Sequence, residues 1–431
     1  MSRVIAGMNW HELYSFASKQ ALLGLCFEGI ERLGKEYPEE LKQNPIGREL
    51  LMTWMGKAQQ IRRQNMKVNA VAGKLFSMLR EDGLRCCILK GQGNALMYPN
   101  PYSRTSGDID VWIDASRERI MEYAQKKFEL GDDIRLQHLE TSLDGVPVEL
   151  HFFPCSMNNP IYHARLQKWF RRNADLQCSH IVGLPDGAGD IAIPTTAFNV
   201  IYQLTHLYHH FFDEGIGMRQ IIDYFLVVND FSKNVFLDTD FSNHPVPLSK
   251  EGSTFSPSPS SSGSGDVTAP SRCSEPLRSK DGGPSKVSPD CAGWDRLAIE
   301  EDNSAGSATA VTSSASTALV VVQRELKYFG LWKFAGAVMY VLHEALGLSE
   351  EKMIAPMDEK RGKLLLTEIL NGGNFGKHFT KYGHFTQQGM AKKYFLKIWR
   401  NMHFVRFYPA EALSEPLFRT WHFFWRMKNK K

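Results

Sequence analysis

Cysteine motifs, secretion signals and long apolar runs are the features that this sequence lacks. The seven cysteines are irregularly spaced and include no Cys-x-x-Cys pair, so neither a zinc knuckle nor a redox motif is supported. We interpret them as reduced thiols of a cytoplasmic protein. No apolar segment with a small-residue cleavage site follows Met1, and we expect no secretory signal peptide. Apolar runs of about eighteen residues are also lacking, which predicts that no helix spans a membrane.

Charge of one sign is not in excess either. The formal net charge is +4, which by itself points to no class of partner. The region 377–431 is an exception, because its twelve lysines and arginines are accompanied by only two glutamates and are interleaved with aromatic residues. Such a combination suits nucleic acid or an anionic surface. A terminal amphipathic helix packed through its aromatic side chains is the alternative, and we favour it because no RNA-binding motif is present.

The chain is rich in apolar residues and alternates between helical and mixed regions. Hydrophobic residues make up 43% of its 431 residues, enough for the cores of two ordinary domains. Residues 1–79 are predicted to be helical, because apolar residues recur at helical spacing and 52–79 contains no proline. The region 80–190 is predicted to be an α/β or α+β core, with strands at 85–89, 108–113 and 146–152 and a helix at 117–128.

The second half of the chain is predicted to be a helical region interrupted by an insertion. Residues 191–237 are helical in pattern, most strongly at 195–212 and 218–228. Serine, proline, glycine, threonine and alanine dominate 238–317, as in the run 256–262. A segment of this composition cannot bury enough apolar surface to offset its ordering entropy, so we expect it to be disordered. Helical, apolar sequence resumes at Ala318 and continues through 318–431.

An Asp-x-Asp motif is the most informative feature of the predicted core. Asp108 and Asp110 lie at the start of a strand candidate, where side chains two residues apart point the same way. Two carboxylates held so close repel each other, and a divalent cation removes that repulsion. The alternative is a pair of exposed aspartates, since short motifs of this kind also arise by chance. The flanking apolar residues and the preceding glycine turn favour the metal site.

The residues around this motif resemble a known family. They are similar to the bacterial uncharacterised nucleotidyltransferase family, within the polymerase-β-type nucleotidyltransferase superfamily, best over 80–235 and weakly in the helices after the insertion. The resemblance implies an α+β fold, a polymerase-β-like mixed sheet flanked by helices, with a helical C-terminal domain. It depends on the segments Leu89-Lys90-Gly91, Arg104, Gly107-Asp108-Ile109-Asp110-Val111 and Val148-Glu149-Leu150-His151.

The resemblance also implies roles for individual residues. By position in the motif, Asp108 and Asp110 bind Mg²⁺ or Mn²⁺. Glu149, the third acid, binds metal and helps to deprotonate an acceptor hydroxyl. The residues implied to contact the nucleotide are Lys90, Gly91, Gln92, Arg104 and Gly107.

Three of these residues have plain structural alternatives. Lys90 either pairs with triphosphate oxygens or is a strand-end lysine kept in water. Arg104 either clamps a phosphate or pairs with an aspartate, and the pairing is at least as well supported. Glu149 interrupts an apolar strand, and such a buried carboxylate needs a partner that a metal can supply. If that strand is an edge strand instead, Glu149 and His151 are surface residues.

Two i, i+4 pairs on the later helix candidates suggest further contacts. His206 and His210 have a spacing that permits joint metal binding, but no glutamate stands where HExxH chemistry needs one, and we favour histidines at a domain interface. Arg219 and Asp223 are predicted to form a structural ion pair. The alternative is that Arg219 reaches the nucleotide.

The function predicted from the sequence is enzymatic. An NTP, with ATP as the expected nucleotide, gives its NMP to an unidentified hydroxyl acceptor in a metal-dependent reaction. One alternative is an inactive nucleotidyltransferase fold that binds nucleotide or a partner. The other is a nucleic-acid-binding protein that acts through its basic tail, for which the Asp-x-Asp motif is incidental. The intact Asp-Ile-Asp favours the enzyme.

Overall fold

The structure is a computed structural model that describes residues 2–130, 135–234, 308–378 and 390–429. Met1–Asp238 and Thr312–Lys431 form one compact unit. Most of the predicted insertion, 238–307, lies outside the described residues. The described cysteines are free thiols, namely Cys26, Cys86, Cys87, Cys155 and Cys178, whereas Cys273 and Cys291 are not described.

Helices precede the sheet, as predicted for 1–79. They are α1 (Ser2–Ala6), α2 (Trp10–Lys19), α3 (Leu23–Glu36), α4 (Pro38–Gln43) and α5 (Arg48–Glu81). Asn9 caps α2, because its side chain accepts hydrogen bonds from two backbone N–H groups of the first turn. The second half of the long α5 buries one stripe of side chains in the core, including Val68, Leu75 and Leu79. Their helical spacing is the reason that this helix packs against the sheet along one side.

The strands form a mixed sheet in the order β1-β2-β4-β3. β1 runs antiparallel to β2, β2 runs parallel to β4, and β3 runs antiparallel to β4. A separate two-stranded sheet pairs β5 with β6. The bounds are β1 (Cys86–Leu89), β2 (Ile109–Ile113), β3 (His138–Leu143), β4 (Val146–His151), β5 (Ile181–Gly183) and β6 (Asp190–Ala192).

Helices cover both faces of the main sheet. Ile109, Val111 and Ile113 of β2 belong to the same buried cluster as the stripe of α5. Because side chains alternate along a strand, Asp110 and Trp112 point to the opposite face. There the ring of Trp112 stacks on Phe198, with 6.2 Å between centroids. The helices in and around the sheet are α6 (Gly91–Ala95), α7 (Arg117–Lys127), α8 (Pro160–Ser179), α9 (Thr196–Asp213) and α10 (Met218–Asn234).

The remaining described chain is helical. It consists of α11 (Ala308–Tyr328), α12 (Trp332–Leu346), α13 (Glu359–Gly372), α14 (Met390–Met402) and α15 (Pro409–Asn429), with short 3₁₀ turns at Pro101–Ser103, Pro185–Gly187, Glu350–Lys352 and Asn374–Gly376. α11 begins at Ala308, so it includes the last residues of the predicted insertion, 308–317. Low-complexity sequence there is rich in alanine, which is also the best helix former. Within the described parts of the chain, none of the helices is long and apolar enough to cross a membrane.

The predicted α+β class is confirmed, with a mixed sheet flanked by helices and a helical C-terminal region. The three predicted strands and the helices at 117–128, 195–212 and 218–228 are present within a few residues of their expected ends. The sequence pattern did not predict α8, the short strands β5 and β6, or β3. β3 was missed because His138 and Glu140 break its apolar alternation. The Asp144-Gly145 turn between β3 and β4 is a hairpin signal that could have located it.

Candidate active site

The first part of the site is formed where β1 and β2 lie side by side. Leu89 pairs with Asp110 across the strands, so the next residue, Lys90, comes to lie beside that carboxylate. Lys90 Nζ is 3.0 Å from Asp110 Oδ1 and also donates to Nε2 of His206 on α9. Lys90 has a φ of +53°, which a residue with a side chain rarely adopts. This sharp turn directs the ammonium group to the face of the sheet that α9 covers.

Strand β4 adds the second part. Its parallel pairing with β2 places Glu149 opposite Asp110. Nε2 of His151 is 3.1 Å from Asp110 Oδ1 and 3.1 Å from Glu149 Oε2. These two oxygens can therefore be no further apart than twice that distance, about 6.2 Å. Asp110, Glu149 and His151 thus form one contiguous polar cluster on a sheet whose other face is apolar.

A pocket of about 570 Å³, including the space at its mouth, opens beside this cluster. Asp108 lies directly before β2 and is exposed in this pocket. The structure therefore brings Asp108, Asp110 and Lys90 together, as the sequence predicted, and places Glu149 next to them. The lining residues are Lys90, Gly91, Asn94, Arg104, Gly107, Asp108, Asp110, Gln203, His206, Leu207, Arg219, Gln220, Asp223 and Phe375.

The two aspartates differ in their electrostatic surroundings. The pKa of Asp108 is raised to about 6. The negative charge of Asp110 is the largest cause, and desolvation is the second. Burial alone would also raise the pKa of Asp110, but Lys90 and His151 overcome this and lower it well below its usual range. Asp110 is therefore ionised and compensated, whereas Asp108 lacks a comparable compensating charge. A cation bound at Asp108 would remove the remaining repulsion.

The pKa values of Glu149, His151 and His138 are also shifted by their surroundings. Burial lowers the pKa of His151, but its hydrogen bonds to Asp110 and Glu149 raise it to about 9. Burial raises the pKa of Glu149, and the hydrogen bond from His151 brings it below the usual value. The pKa of His138, on β3, falls to about 3, chiefly because the ring is buried and secondly because His151 is charged. At neutral pH the cluster therefore contains an ionised Glu149 and a neutral His138.

Arg104 has a buried structural partner. Its Nε and Nη2 donate to the two carboxylate oxygens of Asp223, both at 2.8 Å. Only 5% of Arg104 is exposed, so the pairing alternative describes its main contact, although the residue also lines the pocket. The predicted Arg219–Asp223 ion pair was wrong, because Arg104 takes both oxygens of Asp223. Nη1 of Arg219 donates instead to the carbonyl of Thr105, at 2.9 Å.

Gln92 departs from the role that the resemblance implied, whereas His206 contacts the core region and also contributes to the pocket. Gln92 is 2% exposed and lies outside the residues that line the pocket, because α6 turns its side chain into the protein. Its predicted contact with a nucleotide therefore has no support in the structure. His206, interpreted as an interface histidine, lines the pocket and accepts a hydrogen bond from Lys90. The i, i+4 spacing of His206 and His210 was the sequence signal that could have placed His206 at the site. In the structure the two rings stack, with 4.3 Å between their centroids.

The chain is similar to a family of known proteins. Residues 6–241, more than half of the chain, match the family described as uncharacterised nucleotidyltransferase. The chain belongs to this family, whose description gives nucleotidyl transfer as the class of reaction. The match does not bear on the bacterial origin that the sequence resemblance implied. A search of curated proteins found no match.

Among solved structures, an antigenic nucleotidyltransferase-like protein from Paracoccidioides brasiliensis is similar to this chain. The similarity covers 38% of this chain and 75% of that one, at 17% sequence identity and a TM-score of 0.27.

Proposed function

We propose that the protein transfers an NMP from an NTP, with ATP as the nucleotide, to a hydroxyl acceptor in a reaction that depends on Mg²⁺ or Mn²⁺. The observation that carries this proposal is the position of Asp108, Asp110 and Lys90 around one pocket, with Glu149 on the adjacent strand. Positive and negative groups so arranged suit a metal–triphosphate complex, which has charges of both signs.

The donor set fits Mg²⁺. Asp108 is exposed in the pocket and its pKa is raised by its neighbour, so it gains from a bound cation. Asp110 and Glu149 supply further carboxylate oxygens, which are the ligands that Mg²⁺ prefers. When bound, the ion compensates the charge on the phosphates during transfer.

Lys90, two glycines and Arg104 have further roles in the proposed reaction. Lys90 is held between Asp110 and His206, from where its ammonium group attracts phosphate oxygens. Gly91 and Gly107 line the pocket without side chains, so phosphates can approach the backbone closely. Arg104 acts indirectly, because its ion pair with Asp223 anchors the segment that leads into Asp108.

Glu149 is the proposed proton acceptor. The acceptor oxygen forms a bond to the α-phosphorus of the NTP while the bond from that phosphorus to the departing pyrophosphate breaks. The hydroxyl proton passes to Glu149, whose lowered pKa keeps it ionised at neutral pH. The products are the nucleotidylated acceptor and pyrophosphate.

A second candidate function is nucleotide binding without transfer. The observation in its favour is that Asp110 Oδ1 already has two cationic partners, Lys90 Nζ at 3.0 Å and His151 Nε2 at 3.1 Å. A metal at Asp110 would have to compete with them. The experiment below separates the two candidates.

The test is label transfer by the full chain. Each α-labelled NTP is incubated with the protein, Mg²⁺ or Mn²⁺, and cell extract. We expect Asp108→Ala to reduce labelling by about 100-fold or more, since electrostatic groups at such sites contribute roughly this much. Its melting temperature without metal should not fall, because a repulsive charge is removed. Asp110→Ala should also abolish transfer, but it removes the carboxylate partner of Lys90 and one of the two carboxylate partners of His151, and it should destabilise the fold.

Asp175→Ala is the matched control, because Asp175 is an exposed aspartate on α8 that pairs with Arg85. It should label acceptors like the wild type. Equal labelling by wild type and Asp108→Ala would show that the site is assigned wrongly. NTP binding without labelling of any acceptor would favour the second candidate.

A further inference from the structure

Strands β3 and β4 bring two histidines and a glutamate together beside the proposed active site. His138 pairs directly with His151 across the strands, and Glu149 shares a face with His151 because it lies two residues earlier. Glu149 Oε2 is 3.3 Å from His138 Nδ1 and 3.1 Å from His151 Nε2. One donor atom from each of the three side chains lies within 4.8 Å of the others.

His138 has no satisfactory partner for its ring nitrogens. The residue is 8% exposed, and neither nitrogen makes a hydrogen bond to any residue that the structure describes. Nδ1 is 3.3 Å from Glu149 and Nε2 is 3.8 Å from Glu140, and both contacts are within ion-pair distance without being hydrogen bonds. Burying polar atoms without hydrogen bonds is unfavourable. A ligand bound to a ring nitrogen of His138 would reduce this cost.

We propose that His138, Glu149 and His151 bind a borderline dication such as Zn²⁺, at a site that adjoins the one at Asp108 and Asp110 and shares Glu149 with it. The spacing supports this. Two donor atoms about 2.0–2.1 Å from a zinc ion in tetrahedral geometry are about 3.3 Å apart. The two distances to Glu149 Oε2 are already close to this value. The donor atoms of the two histidines are also no more than 4.8 Å apart.

The ligand set determines which metal fits. Imidazole nitrogens suit zinc and related transition metals, whereas Mg²⁺ prefers oxygen ligands. Two histidines and one glutamate leave the fourth tetrahedral position for water. Zinc binding at these residues does not require nucleotidyl transfer, because the ligands are present without an NTP. Because Glu149 is shared, a bound zinc ion would prevent it from accepting the hydroxyl proton and would inhibit transfer.

An ion at this position would act through the elements it joins. It would link β3 to β4 through its three ligands. Binding would displace the proton of His151 Nε2, which otherwise hydrogen-bonds to Asp110 and Glu149, because histidine binds a metal in its neutral form. An ion that binds the folded protein and not the unfolded chain would also raise the melting temperature of the protein.

The test measures zinc binding by untagged, metal-free full chain. Dialysis against buffered Zn²⁺ and metal analysis give stoichiometry and affinity, and Co²⁺ substitution reports the ligand geometry through visible absorption. We expect one equivalent of zinc and a higher melting temperature for the wild type. His138→Ala should weaken binding by more than about 100-fold, since loss of even an indirect partner of a ligand costs about 10–100-fold. Glu149→Gln, which keeps the shape of the side chain, should also weaken it.

Two control variants make the result specific. His11→Ala removes an exposed histidine on α2 and should bind zinc like the wild type. Asp108→Asn should also retain zinc, whatever happens to label transfer, so a failure of this inference is distinguishable from a failure of the proposed function. Undiminished zinc binding by His138→Ala and Glu149→Gln would overturn the inference, as would loss of zinc from Asp108→Asn alone.

Discussion

At the scale of single residues, the ion pair between Arg104 and Asp223 is the most constrained interaction near the site. Both side chains are almost fully buried, and the hydroxyl of Tyr98 also donates to Asp223, at 2.8 Å. Burying two charges is costly unless they are paired with good geometry. The pair joins the segment before β2 to α10, so its role is to position the loop that bears Asp108.

Removal of one partner should therefore be far more harmful than removal of both. We expect Asp223→Ala to lower the free energy of unfolding by about 3–5 kcal/mol, because Arg104 is left buried and unpaired. The double variant Arg104→Met/Asp223→Leu should recover part of this loss. Urea unfolding of each protein gives the comparison.

The control for this experiment is Lys363→Ala, which removes an exposed ion pair with Glu359 on α13. Its effect should stay within about 1 kcal/mol. If Asp223→Ala is as mild as this control, the buried pair does not carry the stability that we assign to it.

At the scale of secondary-structure elements, α5 depends on one glycine for its approach to the segment that joins β5 and β6. A Cβ atom built on Gly73 would lie 2.1 Å from the carbonyl oxygen of Ala188, which is much less than van der Waals contact. The backbone of that segment therefore passes directly over the helix at this point. Gly56, on the same helix, has no atom within 4 Å of such a Cβ.

These two glycines provide a matched pair of variants. Gly73→Ala should destabilise the protein by about 1–3 kcal/mol, because the added methyl group forces the segment at Ala188 away from the helix. Gly56→Ala should stabilise it by up to about 1 kcal/mol, since alanine favours a helix interior and meets no obstacle. Thermal melting of both variants tests this, and an equal stabilisation by both would contradict the close approach.

At the scale of the whole molecule, the C-terminal helices belong to the same compact unit as the region that matches the family. The family match ends at residue 241, yet Phe375 lines the pocket. Glu411 on α15 accepts hydrogen bonds from the backbone N–H groups of Asn158 and Asn159. The side chain of Gln20 donates to the carbonyl of Ile369 on α13 and accepts from the N–H of Met218. Activity should therefore require both parts of the chain.

Residues 239–307, in contrast, should be dispensable. We expect replacement by a Gly/Ser linker of about 15 residues to leave label transfer unchanged and to shift the melting temperature by no more than about 2–4 °C. The reasons are the Ser-, Pro- and Gly-rich composition and the weak dependence of loop-closure entropy on length. A deletion extended to residue 328 removes α11, with its buried Val322 and Leu326, and should destabilise the protein. Equal effects of the two deletions would refute this boundary.

The sequence by itself determined the local features of this protein. Short apolar segments located β1 and β2, and alternation located β4. A period of two residues placed Asp108 and Asp110 on the same side of a strand. Helical periodicity located α5, α9 and α10. These features could be predicted because the backbone geometry of one element sets them, without reference to the rest of the chain.

Only the tertiary structure decided which side chains meet. The aspartate beside Arg104 is Asp223, 119 residues away, although Arg219 lies on the same helix as Asp223. The parallel pairing of β2 with β4 brings Glu149 and His151 to Asp110, and the packing of α9 on the sheet brings His206 to Lys90. Such choices depend on strand order and on the burial of whole helices, which arise from the simultaneous packing of residues far apart in the chain.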